Sequence, residues 1–437
     1  MNKKIGIFLK FTIFTVIFYI LCFIVAFLIC DEHSSYTRIF MHEFYVQKNI
    51  DNLYLGASHV SHGLLPSLAE ELTGESHFCT GSAGQTIEAS HAILKQAVKT
   101  HKIKRVFLEL DFAVASYPAA KDRRGFKADY IIAKHLRNPA VKFGFLFSLS
   151  SPEFWINSIL PIGKDKHMTL HPKELLYRWK SFFNGEYFNY VYHDKDAEYG
   201  GKGCLLDIRL VKDGSFMNTY DEFPIDVSII TEEWKNTVDK IIKICKDNNI
   251  ELVLYSMPCS DFYLIEKGNY DDYYKFCKDF VESRGFEYYD FNLANEKYLS
   301  LRDSDFHDDN HLSKQGVYKW TNFLCDYFFL NKLPKEDMFH TSYAKKIASQ
   351  EKKIYGLVLK NLTDKKALEI KPITNCDDFT KISYIVSTKV NGEEKHLYTG
   401  QDTIIQLPTA QAGEVRVQSF LDGMLQNDCT TQFSTLF

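Results

Sequence analysis

The strongest pattern in the chain is an apolar run near its start. From Phe11 to Cys30, twenty residues pass without a charge, enough to cross a bilayer as one helix. Lys3 and Lys4 precede the run, Lys10 sits at its edge where it can snorkel to headgroups, and Asp31 and Glu32 follow. The basic flank should stay in the cytoplasm, which places everything after Asp31 outside. A cleaved signal peptide is disfavoured, because the run is too long and no small-x-small site follows it. A lipoprotein cysteine at Cys30 is weak, because bulky Leu28 and Ile29 precede it. The pattern predicts a membrane anchor over 1–31, single-pass, with an extracytoplasmic body.

Beyond the anchor, short apolar runs alternate with helical periodicity. Asn52–Leu55 reads as a strand, Pro66 opens a helix that stops near Gly74, and His77–Thr80 reads as a second strand. A helix is predicted from about Thr86 to Thr100, and Val106–Leu110 is a continuous apolar strand of the kind buried on both faces of a parallel sheet. Thr231–Asp247 carries Trp234, Val238, Ile241, Ile242 and Cys245 on one stripe. Glu251–Tyr255 is a strand, Asp271–Ser283 a helix, Phe286–Tyr289 a strand, and Ser313 caps a last helix with Val317, Trp320, Phe323 and Leu324. Strands alternating with helices predict a doubly wound α/β domain over 32–333, with its functional groups at the carboxyl ends of the strands.

Two stretches break that rhythm. About 112–228 is an aromatic-rich insertion, with Phe143, Phe145, Phe147, Phe154, Trp155, Tyr177, Trp179, Phe182, Phe183, Tyr187 and Phe188, and a basic cluster of Lys121, Arg123, Arg124 and Lys127 near its start. It reads as a helical subdomain with its own core. A lid or sugar-binding groove over the site is the sharper reading, and docking on the membrane or a membrane partner is a third. After a linker at 334–353, residues 354–437 show short β runs with Asn391-Gly392 and Asp422-Gly423 as tight hairpin turns, which predicts an immunoglobulin-like β-sandwich.

Composition changes this picture little. The 437 residues are 45% hydrophobic and 25% charged, with a formal net charge of −4, so nothing points to nucleic acid. The ten cysteines form no CxxC pair and no Cys/His ligand spacing, so no zinc site is expected. Cys376 and Cys429 stand where a bridge is conceivable.

The candidate chemistry lies in two distant stretches. In NLYLGASHVSHGLL, Ser58 arrives just after the first strand. In FHDDNHLSKQG, Asp308 and His311 are spaced D-x-x-H on the loop before the last helix. A serine needs a base within hydrogen-bond reach to act as a nucleophile. His311 would take the Ser58 proton and later return it, Asp308 would orient the imidazole, and backbone N–H groups at Ser58 and Gly84 would hold an oxyanion. Asp111, at a strand end, is either a substrate contact or a turn cap. His59, His62, His77 and His307 read as ordinary histidines.

Ser58 in GAS-H, Gly84 in SAGQT, and Asp308-x-x-His311 followed by Leu312 resemble three blocks of the SGNH (GDSL-type) hydrolases and acyltransferases. The resemblance covers roughly residues 52–328 without the insertion and implies a flavodoxin-like three-layer α/β/α fold. The order of anchor, serine and distal Asp-x-x-His is most similar to membrane-anchored cell-envelope members, among them the D-alanyl transfer protein of teichoic-acid modification and exopolysaccharide O-acetylation proteins. It implies a bacterial cell-membrane location, no cofactor, a polysaccharide or glycan acceptor, and a multi-spanning membrane O-acyltransferase as donor partner. Three departures stand out. Ala57 replaces the usual Asp, no Asn lies near Cys79, and Leu110–Val114 lacks the Asn that donates to the oxyanion, a donor worth a few kcal/mol. The expected function is O-acyl transfer through an acyl-serine, with ester hydrolysis or non-catalytic glycan binding as the alternatives.

Overall fold

The computed structural model describes residues 3–29, 35–115, 127–149, 152–159, 168, 170–362, 366–390, 393–406 and 413–433. The basic cluster at Lys121, Arg123 and Arg124 and the Asn391-Gly392 turn lie outside these residues. One helix, α1 (Lys3–Ile29), is long and apolar enough to cross a membrane. Its apolar side chains are exposed along nearly its whole length. α2 (Tyr36–Val46) follows and buries Ile39, Phe40, Met41 and Phe44.

The body is built on five parallel strands. β1 (Asn52–Leu55), β2 (His77–Cys79), β3 (Arg105–Glu109), β7 (Glu251–Ser256) and β8 (Tyr288–Asp290) lie in the order β2-β1-β3-β7-β8. The chain reverses direction across the sheet between β2 and β3, which opens a crevice at the carboxyl end of β1. Side chains alternate strictly. Leu53, Leu55, Val106, Leu108, Leu252 and Leu254 enter one apolar cluster, while Tyr54, Phe107, Val253 and Tyr255 enter another. Both faces are therefore buried, and so the strands read as unbroken apolar runs.

Helices cover each face. On the first lie α5 (Ile87–Thr100), α11 (Glu232–Asp247) and α13 (Tyr270–Glu282), and on the second α4 (Pro66–Thr73) and α14 (Lys314–Phe328). The expected caps are in place: the side chains of Thr86, Thr231 and Ser313 accept from Ala89, Trp234 and Gly316 backbone N–H groups. Each such cap typically stabilises its helix by about 1 kcal/mol. Gly74 ends α4 in the left-handed region.

The insertion is not wholly helical. It holds α6 (Phe112–Ala115), α7 (Lys127–His135), α8 (Pro139–Leu146), α9 (Pro152–Ile159) and α10 (Pro172–Phe183). A hairpin of β4 (Ala197–Gly201) and β5 (Cys204–Asp207) follows. The hairpin turn shields the edge of β2, where Cys79 N–H donates to the Lys202 carbonyl at 2.9 Å. Covering an edge strand removes a site for unwanted pairing. β6 (Met217–Asn218) pairs in parallel with β9 (Ile354–Leu362), so the insertion supplies a strand to the C-terminal region.

That region has two sheets, β13-β10-β9-β6 and β12-β11-β14-β15, made with β10 (Ala367–Thr374), β11 (Ile382–Val390), β12 (Glu393–Gly400), β13 (Ile404–Gln406), β14 (Gly413–Leu421) and β15 (Met424–Phe433). Every pairing except β6–β9 is antiparallel. Leu357, Leu359, Leu368 and Ile370 from one sheet share a core with Tyr384, Val386, Val415 and Val417 from the other. Asp422 and Gly423 both take positive φ at the β14–β15 turn, as a two-residue hairpin loop demands. Cys376 and Cys429 are separate buried thiols, so the conceivable bridge is not formed. Cys429 instead donates to the Phe216 carbonyl.

Candidate active site

Ser58 is the first residue of α3 (Ser58–Ser61), a single turn directly after β1. The backbone is too crowded there for a side chain at residue 56, where a Cβ would lie 2.6 Å from Glu109 Oε2 and from Val60 Cγ2. The same holds at Gly81, whose Cβ would meet the Ala57 carbonyl at 2.3 Å. These two glycines let the β2 turn press against the serine turn. Ser61 Oγ then donates to the Ser58 carbonyl at 2.9 Å, and the Tyr36 hydroxyl lies near Ser61 and the Ala83 backbone.

His311 arrives from the loop before α14. The loop is closed by a bridge between Phe306 and Leu312, and His307 N–H donates to the His311 carbonyl at 3.0 Å. Asp308 Oδ1 accepts from the backbone N–H groups of Asn310 and His311 at 3.0 and 2.7 Å, which fixes the carboxylate. Ser260 Oγ donates to the Asp309 carbonyl and pins the outer side of the loop. His311 Nε2 is 2.7 Å from Ser58 Oγ, and its Nδ1 is 2.9 and 3.0 Å from the two Asp308 oxygens. The three predicted side chains thus form one hydrogen-bonded chain.

Electrostatics give these groups distinct states. Burial lowers the pKa of His311 below the ordinary histidine value and outweighs the opposing Asp308, with His59 and His307 lowering it further. Burial would raise the Asp308 carboxyl, but hydrogen bonds from His307 and His311 hold it well below the usual range. At neutral pH, His311 is a neutral base beside a carboxylate. The neighbouring Asp309 is pushed up to about 7 by burial and by Asp308.

Three histidines that read as ordinary in the sequence also gather here. His307 Nε2 lies 3.2 Å from Asp308 Oδ2 and 3.6 Å from Asp207 Oδ2, while its Nδ1 faces the Leu312 carbonyl at 3.2 Å. Burial opposes its charge, yet Asp308 and Asp207 prevail and raise its pKa. His62 packs against His307 and His311, with ring centroids 5.0 and 5.3 Å apart. His59, next to the serine, is buried with Nδ1 3.0 Å from Glu109 Oε1. The H-x-x-H spacing at 59 and 62 was the available signal, since one helical turn from Ser58 carries both. His77 belongs elsewhere: it bridges Tyr54 and Thr73, and burial lowers its pKa to about 4.

Asp111 makes the contact of a turn cap, and its second oxygen lies 3.8 Å from His59 Nδ1. Its Oδ1 accepts from Ala113 N–H at 2.7 Å, and the residue is buried. Gly84 sits at positive φ in a turn closed by Gln85 N–H donating to Ser82, at 3.0 Å. His307, Asp308 and His311 form one set able to hold a metal ion, and His59, Glu109 and Asp111 form another. In the first set the ring nitrogens are already engaged in the hydrogen bonds above. The arrangement can deprotonate a serine hydroxyl, store the proton on an imidazole and deliver it to a leaving group.

No protein-family model matches the chain, and no curated protein matches it. Among solved structures, one similar chain is a Bacteroides fragilis protein described as a candidate acylhydrolase. It is 10% identical, the alignment covers 67% of this chain and 94% of that one, and the TM-score is 0.30.

Proposed function

We propose that the protein is a membrane-anchored, extracytoplasmic serine O-acyltransferase of the SGNH type, acting on a cell-envelope or exported polysaccharide. The observation that carries this reading is the continuous hydrogen-bonded path from Ser58 Oγ through His311 to Asp308. The strand order, which matches the flavodoxin-like arrangement, and the apolar α1 support it. Ser58 Oγ attacks the acyl carbonyl as its proton passes to His311 Nε2. The tetrahedral oxyanion is held by backbone N–H groups at Ser58 and Gly84. Collapse breaks the bond to the leaving group, which takes the proton from His311 and leaves an acyl-Ser58 ester. A carbohydrate hydroxyl then attacks that ester, giving its proton to His311, and Ser58 is regenerated.

Ester hydrolysis is the second reading, and one observation favours it. The Asp308 side chain is 44% exposed and that of His311 19%, so water reaches the triad in the absence of substrate. Transfer needs the acceptor to exclude that water. The test compares acyl content of envelope polysaccharide in cells carrying wild type or Ser58→Ala. Transfer predicts acylation lost in the variant, hydrolysis predicts it raised, and no change in either direction rejects both in favour of a non-catalytic glycan-binding component.

A further inference from the structure

α10 (Pro172–Phe183) is amphipathic in the wrong sense for a water-facing helix. Its two fully buried residues are polar, Arg178 and Ser181, exposed by only 3% and 2%. Its outward stripe is apolar: Leu176, Trp179 and Phe183, spaced three and four residues apart, are 54%, 52% and 68% exposed. Phe188 beyond the helix is exposed too, and the Trp179 ring lies tilted beside Phe183 with centroids 5.0 Å apart. In a soluble helix that stripe faces the core.

The position of α10 explains the inversion. Arg178 Nη1 donates to the Leu28 carbonyl at 3.1 Å, and Phe27 packs edge-on against Phe182 and Tyr187 at 5.1 and 5.0 Å. These contacts clasp the last turn of α1. The uncharged part of α1, Phe11–Ile29, is about 28 Å long as a helix, close to the hydrocarbon core of about 30 Å. Phe27 and Leu28 therefore lie at the outer edge of that core, and α10 is held at that level beside them.

We propose that α10 lies in the outer interface of the membrane that α1 crosses, with Leu176, Trp179 and Phe183 in the lipid. Exposed Lys173 and Lys180 flank the stripe, suited to phosphate headgroups, and tryptophan is favoured at that depth. This rests on α1 being a membrane anchor and not on the chemistry of Ser58. It gives the body a second attachment and a fixed tilt. It also keeps the serine turn near the bilayer, because Tyr36, whose hydroxyl lies near Ser61, follows Ile29 by a segment that spans at most about 25 Å.

The full-length protein in lipid nanodiscs made with acyl-chain-brominated phospholipid tests this, with tryptophan emission as the readout and Trp179→Phe as the reference. The expected result is bromolipid quenching of the wild type that is lost in Trp179→Phe. Equal quenching in both proteins overturns the proposal, as does a Trp179 signal shielded from aqueous iodide but untouched by bromolipid, which indicates a second copy of the chain on the stripe. Leu176→Glu gives an independent reading: faster amide exchange over 172–183 in nanodiscs is expected, and unchanged exchange overturns it. Fluorophosphonate labelling of Ser58 in the same samples separates this outcome from any failure of the enzymatic reading.

Discussion

Two histidine–carboxylate pairs flank Ser58, and they differ in almost everything but composition. His311 and Asp308 sit 2.9 Å apart on a partly exposed loop, and His59 and Glu109 sit 3.0 Å apart in the interior. His311 turns its far nitrogen to Ser58 Oγ at 2.7 Å, whereas the far nitrogen of His59 faces Cys259 Sγ at 4.0 Å. Burial leaves His311 neutral. His59 is more deeply buried, but Cys259, Asp111 and Glu109 overcome that and raise its pKa well above the ordinary value. An imidazole beside a carboxylate is thus set up to act as a base in one place and is locked into an interior pair in the other. What separates them is the number of acidic neighbours and whether the second nitrogen reaches a reactive atom.

The largest effect should come from the exposed pair. Ser58→Ala or His311→Ala is expected to lower turnover of an activated ester by about 10⁶-fold, as for removal of a serine nucleophile or its base. Asp308→Asn should cost about 10⁴-fold, since the imidazole loses its orienting carboxylate; steady-state kinetics measures both.

The interior pair should answer differently. Glu109→Gln removes one of the two carboxylates beside buried His59 and should lower unfolding free energy by up to about 3–5 kcal/mol, seen as a fall in Tm. Activity per folded molecule should change far less than in His311→Ala. The pH dependence has a fixed sign. Because the fold raises the pKa of His59, its stabilisation is complete below the unfolded value and is lost as pH rises through the folded one. Wild-type Tm should therefore fall towards alkaline pH more steeply than that of His59→Gln. A loss of activity in Glu109→Gln as large as in His311→Ala, at unchanged Tm, would erase the distinction between the pairs.

The smallest effect concerns His307, which shares Asp308 with His311. Its positive charge lowers the pKa of His311, so His307→Gln should move the acid limb of kcat/KM to higher pH. In the wild type that limb should fall below the ordinary histidine value.

How much of this was legible beforehand follows from range. The parallel strands announced themselves as apolar runs because both faces are buried, and Ser58, Asp308 and His311 stood at element ends where the fold concentrates function. The local caps at Thr86, Thr231 and Ser313 were equally plain, as their partners lie three residues away. Pairings set by distant segments were not. β6 is two residues long and is a strand only because Leu357 and Val358 lie beside it. The β4–β5 hairpin was hidden in a stretch dominated by aromatics, although Gly200-Gly201-Lys202-Gly203 marks its turn and three of those residues take positive φ. His59 looked ordinary because its partner Glu109 is 50 residues away, and His307 because its second carboxylate, Asp207, is 100 residues away.

The most direct measurement of the central claim is fluorophosphonate labelling of the full-length protein, with the adduct mapped by mass spectrometry. One adduct on Ser58 is predicted, forming at a rate that rises through a single ionisation below the ordinary histidine pKa and falling to background in His311→Ala. A wild-type Ser58 that does not label, or one that labels equally fast in His311→Ala, would contradict it.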